Sequence, residues 1–304
     1  MTLDALPNTI DSTMLADFDA CKHKYWERFI VGLVPMHASP HLIFGGALAA
    51  GLAAARQSFY IAREPRERAE ARGLKALIAK WGDFPTEVSG TLSEELKTLT
   101  RCVDSYIRYL DQYPLGQDPA VPIPFQRADK QGIETPFCLP IPGAPHPRGG
   151  LWHYTGRLDM FCRYRGARLV TDEKTGTKAG DTWPEKWDMR GQFIGYTWAA
   201  QQLGVKADGV LVRGVIIRKY DTTEFPHVVK TYAPWEVEEW LEGVREQVAE
   251  IERRWDNRRW RKSRGNACTA FNRACEYTPL CKSRDEALYH THYRHERWDP
   301  LMED

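Results

Sequence analysis

Apolar residues recur every three or four positions in the first hundred residues, every second position in the middle, and every three or four positions again towards the end. The longer period is typical of amphipathic helices and the shorter one of half-buried strands. Two helices are therefore predicted in the first fifty-odd residues, followed by a helical stretch over residues 63–113. Gly82-Asp83-Phe84-Pro85 interrupts that stretch, because proline cannot continue a helix.

Prolines are dense over residues 114–147, where only loops and one edge strand around residues 133–139 are predicted. The period then changes to two. Residues 154–164 and 168–175 are predicted as strands, and the stretch Arg165-Gly166-Ala167 contains the turn that joins them into a hairpin.

The elements after the hairpin are marked by period and by capping residues. A helix is predicted from Thr182, which begins a capping-box pattern, to Gly204. Strands are predicted over residues 209–218 and 227–232, and a long helix over residues 234–261. This order of elements predicts a mixed α/β fold, in one domain with a helical insertion.

Length and composition exclude several classes of protein. The 304 residues, 42% of them hydrophobic, suffice for a large core, and the net charge of +1 gives no overall field that attracts nucleic acid. The longest apolar run, residues 42–55, is too short to span a bilayer and is predicted to be a buried helix. The first residues lack the features of a secretion signal, so we expect a cytoplasmic location and reduced cysteines.

Two aspartates face each other across the predicted hairpin. With the turn centred on Arg165 and Gly166, Asp159 lies directly opposite Asp172, and Lys174 shares their face of the sheet. Opposed like charges destabilise a hairpin unless something neutralises them, and Mg²⁺ is commonly held by one or two carboxylates together with a phosphate. Such an ion would polarise a phosphoryl oxygen, and Lys174 would orient the attacking water or stabilise developing charge. The alternative is a solvated face with a salt bridge.

The next predicted helix carries Gln192 and Tyr196, four residues apart and so on one helical face. An amide and a phenol hydroxyl can both hydrogen-bond phosphate oxygens without reading bases. The alternative is an exposed helical turn with no such role.

The pattern D…DxK followed by QxxxY resembles the PD-(D/E)xK nuclease superfamily, specifically its RecB-like branch, which includes AddB-like and CRISPR-adaptation exonucleases. The segments STMLADFDACKHKYWERFIVGL and FGGALAAGLAAA resemble the first two helices of that branch. The resemblance implies a restriction-endonuclease-like fold, a mixed sheet core flanked by helices. It further implies one domain over 1–304 with a helical insertion over about 60–115, a nuclease core over about 130–262 and a cysteine-bound C-terminal segment over 263–285.

The resemblance also implies roles for acidic residues. Asp159 and Asp172 correspond to ligands for Mg²⁺ or Mn²⁺, and Glu134 stands where relatives often have an extra acidic ligand. Many relatives place a metal-contacting histidine where this chain has Ala49, and His41, His37 or His153 are the candidates to replace it. This departure leaves the metal preference and any histidine-assisted mechanism open.

Three of the seven cysteines, Cys268, Cys275 and Cys281, lie near the end of the chain at spacings unlike those of zinc ribbons. By spacing alone they are a weak metal signal, and packing is the alternative. The resemblance implies that they join Cys21 around a structural 4Fe-4S cluster, for which four thiolates are the usual ligands. Zn²⁺ in the same site is the competing interpretation. Cys102 and Cys162 are predicted to be small buried hydrophobic residues.

A basic segment over residues 253–264 interleaves cations with tryptophans, the mixture that binds single strands through phosphates and base stacking. The candidate DNA-binding residues in it are Arg253, Arg254, Arg258, Arg259, Trp260 and Arg261. The alternative is a solvated helix end. Arg213, Arg218 and Lys219 are expected to extend the binding groove.

Together these features predict a metal-dependent DNA nuclease, an exonuclease on DNA ends or single strands. A catalytically inactive, nuclease-derived DNA-binding subunit and a structural zinc protein are the alternatives. The chain has no P-loop motif, so duplex unwinding would require a separate helicase or recombination partner, and no membrane partner is expected.

Overall fold

The computed structural model describes residues 6–123, 132–220, 222–269, 274–283 and 287–299. The helices in these ranges are α1 (Ser12–Ala20), α2 (Lys22–Tyr25), α3 (Pro40–Arg56), α4 (Arg66–Trp81), α5 (Leu92–Glu95), α6 (Leu99–Gln112), α7 (Gly191–Gln202), α8 (Pro234–Asn257), α9 (Thr278–Lys282) and α10 (Ala287–His292). The strands are β1 (Thr9–Ile10), β2 (Leu33–Pro35), β3 (Val121–Pro122), β4 (Ile133–Pro145), β5 (Leu151–Tyr164), β6 (Ala167–Gly176), β7 (Gly209–Ile217), β8 (Thr223–Glu224), β9 (His227–Thr231) and β10 (Tyr293–His295).

Eight of the described strands form a mixed sheet, which confirms the predicted α/β class. The hairpin β5–β6 is antiparallel, β6 and β7 are parallel, and β8 and β9 pair antiparallel with β7. Parallel neighbours need a crossover connection, and α7 supplies the one between β6 and β7. Short strands β1 and β3, together with β4, pair with β5, whereas β2 and β10 form a separate antiparallel pair.

The chain divides into two compact units. Residues 1–37, 136–157 and 235–304 form the first, and residues 38–135 and 158–234 form the second. In the first unit, α8 forms the predicted long helix and buries residues at alternating steps of four and three along one face: Val237, Leu241, Val244, Val248 and Ile251.

The second unit contains the predicted helices of residues 63–113, broken where α4 ends at Trp81 and Gly82 adopts a φ of 59°. Helix α3 is the predicted buried helix, and with its π-helical extension Gln57–Ile61 it is the one helix among the described residues that is long and apolar enough for a bilayer. Half of that stretch is buried, and its apolar residues pack against α4, α6 and β7 around Phe44, Leu52 and Tyr106. We therefore interpret α3 as a core helix.

The structure corrects the start of α7. The predicted capping box at Thr182 begins a series of turns, and the helix itself begins at Gly191. The turns bury Trp183 and Trp187, whose rings pack edge to face. Burial of two indoles outweighs the local preference for a helix start.

Candidate active site

The hairpin has the predicted register. Tyr164 pairs with Ala167, and the pairing continues to Met160 and Thr171, so the next opposed position brings together Asp159 and Asp172. The backbone N–H of Glu173 donates to Oδ2 of Asp159 over 3.4 Å, which holds the first carboxyl group against β6.

Both aspartates lie in an environment that disfavours their charged form. Burial raises the pKa of Asp159 well above its ordinary value, and the negative charges of Asp172, Glu134 and Glu173 raise it further. Burial also raises the pKa of Asp172, against the lowering effect of Lys174, whose Nζ lies 3.0 Å from Oδ1 and 2.8 Å from Oδ2. The predicted acidic residues and the lysine therefore come together in the second unit.

A divalent cation fits this set of donors. Oδ2 of Asp172 is buried and accepts no well-aligned hydrogen bond from the described residues, and hard cations prefer such carboxylate oxygens. Within the same described ranges, no three acidic, histidine or cysteine side chains form a preformed metal cage. A pair of carboxylates without a cage is what Mg²⁺ uses when substrate phosphate and water complete its shell.

Glu134, the second residue of β4, lies in the left-handed backbone region, with a φ of 51°. This conformation is strained for a residue with a Cβ, and such strain concentrates at functional sites. The half-buried side chain interacts electrostatically with Asp159. The structure therefore places this predicted residue beside the aspartates.

Helix α7 brings the predicted glutamine and tyrosine together on one face. Nε2 of Gln192 donates to the hydroxyl of Tyr196 over 3.0 Å. The first turn of the helix lies beside β6, because the Phe193 ring is 5.5 Å from Nζ of Lys174 and Arg190 interacts with Asp172.

The residue between Asp172 and Lys174 has a role that the sequence analysis missed. Successive strand residues point to opposite faces, and Glu173 accepts hydrogen bonds from Arg56 over 2.5 Å and from Tyr109 over 2.6 Å. Burial alone would raise the pKa of Glu173, but the Arg56 guanidinium lowers it to about 2. A buried ion pair between Glu173 and Arg56 thus holds β6 on the face opposite to Asp172 and Lys174.

The expectation that Arg213 lines a binding groove is wrong. This side chain is only 1% exposed, and it donates to both carboxylate oxygens of Asp118 over 2.6 and 2.7 Å. Its guanidinium also lies 3.9 Å from the centre of the Tyr113 ring. The residue is a structural part of the second unit.

Ala49, which the resemblance matches to a metal-contacting histidine, is exposed on α3. His41 lies two helical turns earlier, about 12 Å along the helix axis. His37 and His153 belong to the first unit.

Four of the cysteines line one cavity of the first unit, although no three cysteine, histidine or acidic side chains in the described ranges form a ready-made metal site. A cavity of about 290 Å³ is lined by Cys21, Cys268, Cys275 and Cys281, together with residues that include Lys24 and Lys262. The cysteines are free thiols, and the N–H of Cys275 donates to the carbonyl of Cys268 over 2.8 Å. Residues 270–273, 284 and 285 of the predicted cluster segment lie outside the described residues.

The four cysteines differ in their surroundings. Burial opposes ionisation of Cys21, but hydrogen bonds from Lys24 and Ser263 lower its pKa. Burial raises the pKa of Cys275 and Cys281. Cys102 and Cys162 are buried in the second unit as predicted, and Cys138 is exposed.

The basic segment over residues 253–264, which begins in the last turn of α8, is partly engaged within the first unit. Trp260 is half-buried and stacks on Trp26 at 5.2 Å, so its ring serves packing. Arg254 donates to Glu250 and to the carbonyl of Arg259. The remaining predicted cations of this segment are exposed: Arg253, Arg258, Arg259 and Arg261.

Comparisons with known proteins identify one family. The model of the PD-(D/E)XK nuclease superfamily matches residues 12–282. Among solved structures, a protein named "Putative exonuclease" from Eubacterium rectale is 13% identical, with a TM-score of 0.48 and 93% of each chain covered. The structure named SSO0001 is 14% identical, with a TM-score of 0.31, 81% of this chain and 78% of the other being covered. No curated protein matches the chain.

Proposed function

The chain belongs to the PD-(D/E)XK nuclease superfamily, and we propose that it is a divalent-metal-dependent DNA nuclease, an exonuclease on DNA ends or single strands. The observation that carries this proposal is the opposed pair of half-buried Asp159 and buried Asp172, with Lys174 beside Asp172. Two carboxyl groups with raised pKa values gain a favourable partner when a cation binds between them.

Each residue has a distinct part in the proposed reaction. Asp159 and Asp172 would hold Mg²⁺ or Mn²⁺ with help from Glu134, and the ion would supply Lewis-acid polarisation of the phosphoryl oxygen and a more acidic water. The Lys174 ammonium orients the attacking water or stabilises the charge that develops on phosphate. Gln192 and Tyr196 donate hydrogen bonds to phosphate oxygens and so position the strand.

Cleavage of end-labelled DNA tests this proposal. We expect wild type to release nucleotides in Mg²⁺ or Mn²⁺. The cleavage rate of Asp172→Asn is expected to fall by more than about 100-fold, because even the loss of a residue that only supports a metal ligand lowers metal affinity or activity 10–100-fold. Asp83→Asn, which changes an exposed aspartate of the same unit, is the matched control and retains activity. Equal rates in wild type and Asp172→Asn would remove the hairpin from the mechanism.

A second candidate is a nuclease-derived subunit that binds DNA without cutting it. The exposed Ala49 in place of a histidine favours it. The presence of Asp159, Asp172 and Lys174 argues against it, since a degenerate site is expected to have lost at least one of them. DNA binding without cleavage in any divalent metal would support this candidate over the first.

For the first unit we propose a structural 4Fe-4S cluster held by Cys21, Cys268, Cys275 and Cys281, with Zn²⁺ as the alternative occupant. The shared cavity supports this proposal, since four thiolates are the ligand set of such clusters. The cluster would join the two ends of the chain. A brown protein with about four iron and four sulfide per chain supports it, whereas a colourless protein with one zinc supports the alternative.

The exposed arginines in the last turn of α8 and directly after it are proposed to contact DNA phosphates. For these arginines, the expected result is that Arg258→Gln/Arg259→Gln loses salt-dependent DNA affinity.

A separate helicase or recombination partner, a cytoplasmic location and a single functional domain remain predictions.

A further inference from the structure

An open cleft of about 500 Å³ lies in the segment that joins β6 to α7. It is lined by Lys178, Gly180, Thr182, Trp183, Glu185 and Lys186, all in the second unit. The lining begins four residues after Lys174 on the same chain segment. The cleft is therefore continuous in sequence with the proposed catalytic strand.

Cations gather at this cleft. Lys186 interacts electrostatically with both Arg190 and Lys174, and each of these positive charges lowers the pKa of Lys186 in addition to the effect of burial. Lys178 and Arg190 are exposed. Like charges held close together repel one another, so an anion bound among them would relieve the repulsion.

The acidic residues of the segment only partly offset these cations. Asp188 is bonded to Lys230, which leaves Glu185 on the cleft and Asp181 beside it. Lys174 is likewise bonded to Asp172, and the three remaining cations, Lys178, Lys186 and Arg190, outnumber the two acids. The balance of unpaired charges at the cleft is therefore positive.

The segment is anchored and presents one unusual apolar side chain. Trp183 and Trp187 are buried beneath it, and the N–H of Lys186 donates to the carbonyl of Thr182 over 3.2 Å. Met189 lies between Asp188 and Arg190 in the chain, and its side chain is 90% exposed. An exposed apolar side chain next to Arg190 suits a ligand that is charged along one edge and apolar along the other.

We propose that this cleft binds the phosphodiester backbone of the single DNA strand that enters the active site, with Met189 against a base. Lys178, Lys186 and Arg190 neutralise phosphates next to the cleaved one. Single strands are bound by this combination of backbone cations and contacts to base faces, without sequence readout. Because the cleft is open, it suits a polymer that continues beyond it better than a small ligand, which is usually enclosed by its site. The inference rests on the proposed nuclease function.

The test is the salt dependence of binding a fluorescein-labelled oligothymidylate to the full chain, with Ca²⁺ in place of Mg²⁺. Each phosphate contact on a single strand contributes about 0.7 to the slope of log affinity against log salt. We expect Lys178→Gln/Lys186→Gln to reduce that slope by about 1.4. Met189→Ser is expected to weaken binding about fivefold with an unchanged slope, because it removes a base contact. Lys206→Gln, an exposed lysine of the same unit, is the matched control.

Cleavage measured in Mg²⁺ separates the possible failures. The double variant is expected to raise KM and leave kcat nearly unchanged, since it loses substrate binding and no catalytic group. A wild-type slope and KM in that variant would overturn the cleft assignment and leave the nuclease proposal standing. A reduced slope in a protein whose wild type never cleaves DNA would support the cleft and overturn the nuclease proposal.

Discussion

At the scale of residues, three consecutive positions of β6 serve two different purposes, one on each face of the strand. Asp172 and Lys174 face Asp159, while Glu173 faces the Arg56 guanidinium and the Tyr109 hydroxyl. The sequence predicted the first face because opposed strand positions follow from a short turn. It did not predict the second, because Arg56 lies 117 residues away and no local pattern signals that contact.

Removal of the Glu173 charge is expected to destabilise the second unit. Glu173→Gln leaves the Arg56 guanidinium buried without its counter-ion, a loss of about 3–5 kcal/mol in the free energy of unfolding by urea. The control Glu87→Gln changes an exposed residue and is expected to be neutral. Arg56→Met/Glu173→Leu is expected to recover most of the loss, since apolar replacement of both partners is often neutral. A stable Glu173→Gln would show that the pair contributes little.

The raised pKa of Asp159 is expected to make the stability of the folded protein depend on pH. Its pKa is raised in the folded state, so ionisation above the ordinary value of 3.8 opposes folding when no cation is bound. Asp159→Asn is therefore expected to be more stable than wild type at neutral pH in EDTA, and the difference declines as the pH falls through the folded pKa towards 3.8. Thermal unfolding across pH measures it. A less stable variant at neutral pH would contradict the raised pKa.

At the scale of elements, strong periodicity predicted the hairpin and α8 well, but it failed where burial overrode local preference. The Thr182 pattern has the form of a helix start, yet Trp183 and Trp187 are drawn into the core. The expectation for Arg213 failed for the same reason. Its strand is otherwise apolar, and the charge is accommodated there because the buried carboxylate of Asp118 pairs with it. Partners distant in sequence cannot be read from spacing.

Close packing of α3 on α4 depends on glycines. A Cβ at Gly73 would lie 2.6 Å from the carbonyl oxygen of Gly51 and would also collide with the Tyr106 hydroxyl. Gly73→Ala is therefore expected to lose about 1–3 kcal/mol of unfolding free energy in urea. Gly243→Ala in α8 meets no atom within 4 Å and is expected to gain about 0.5–1 kcal/mol. Equal effects of the two changes would contradict the packing.

At the scale of the whole molecule, residues from both ends of the chain belong to one compact unit. Cys21 lies near the first end, and Cys268, Cys275 and Cys281 lie near the other. The resemblance to RecB-like nucleases predicts a shared ligand site for these cysteines, which their spacing alone does not, and the bound group stays a prediction. A bound group at the cysteines would link folding of the two ends to its own binding.

Loss of one of these thiols is expected to release the bound group. Cys281→Ser should abolish the visible absorption and lower the unfolding temperature by more than about 4 °C. Cys138→Ser, in the same unit but outside the cavity, serves as the control. Retained colour and iron in Cys281→Ser would exclude that residue as a ligand.

Binding of Mn²⁺, counted by electron paramagnetic resonance at neutral pH, tests most directly whether the opposed carboxylates hold a divalent cation. Wild type and Asp83→Asn are expected to bind Mn²⁺ with the same stoichiometry, and Asp159→Asn and Asp172→Asn are expected to lose that binding, because each removes half of the carboxylate pair. Undiminished Mn²⁺ binding in both hairpin variants would contradict a metal site between these two strands.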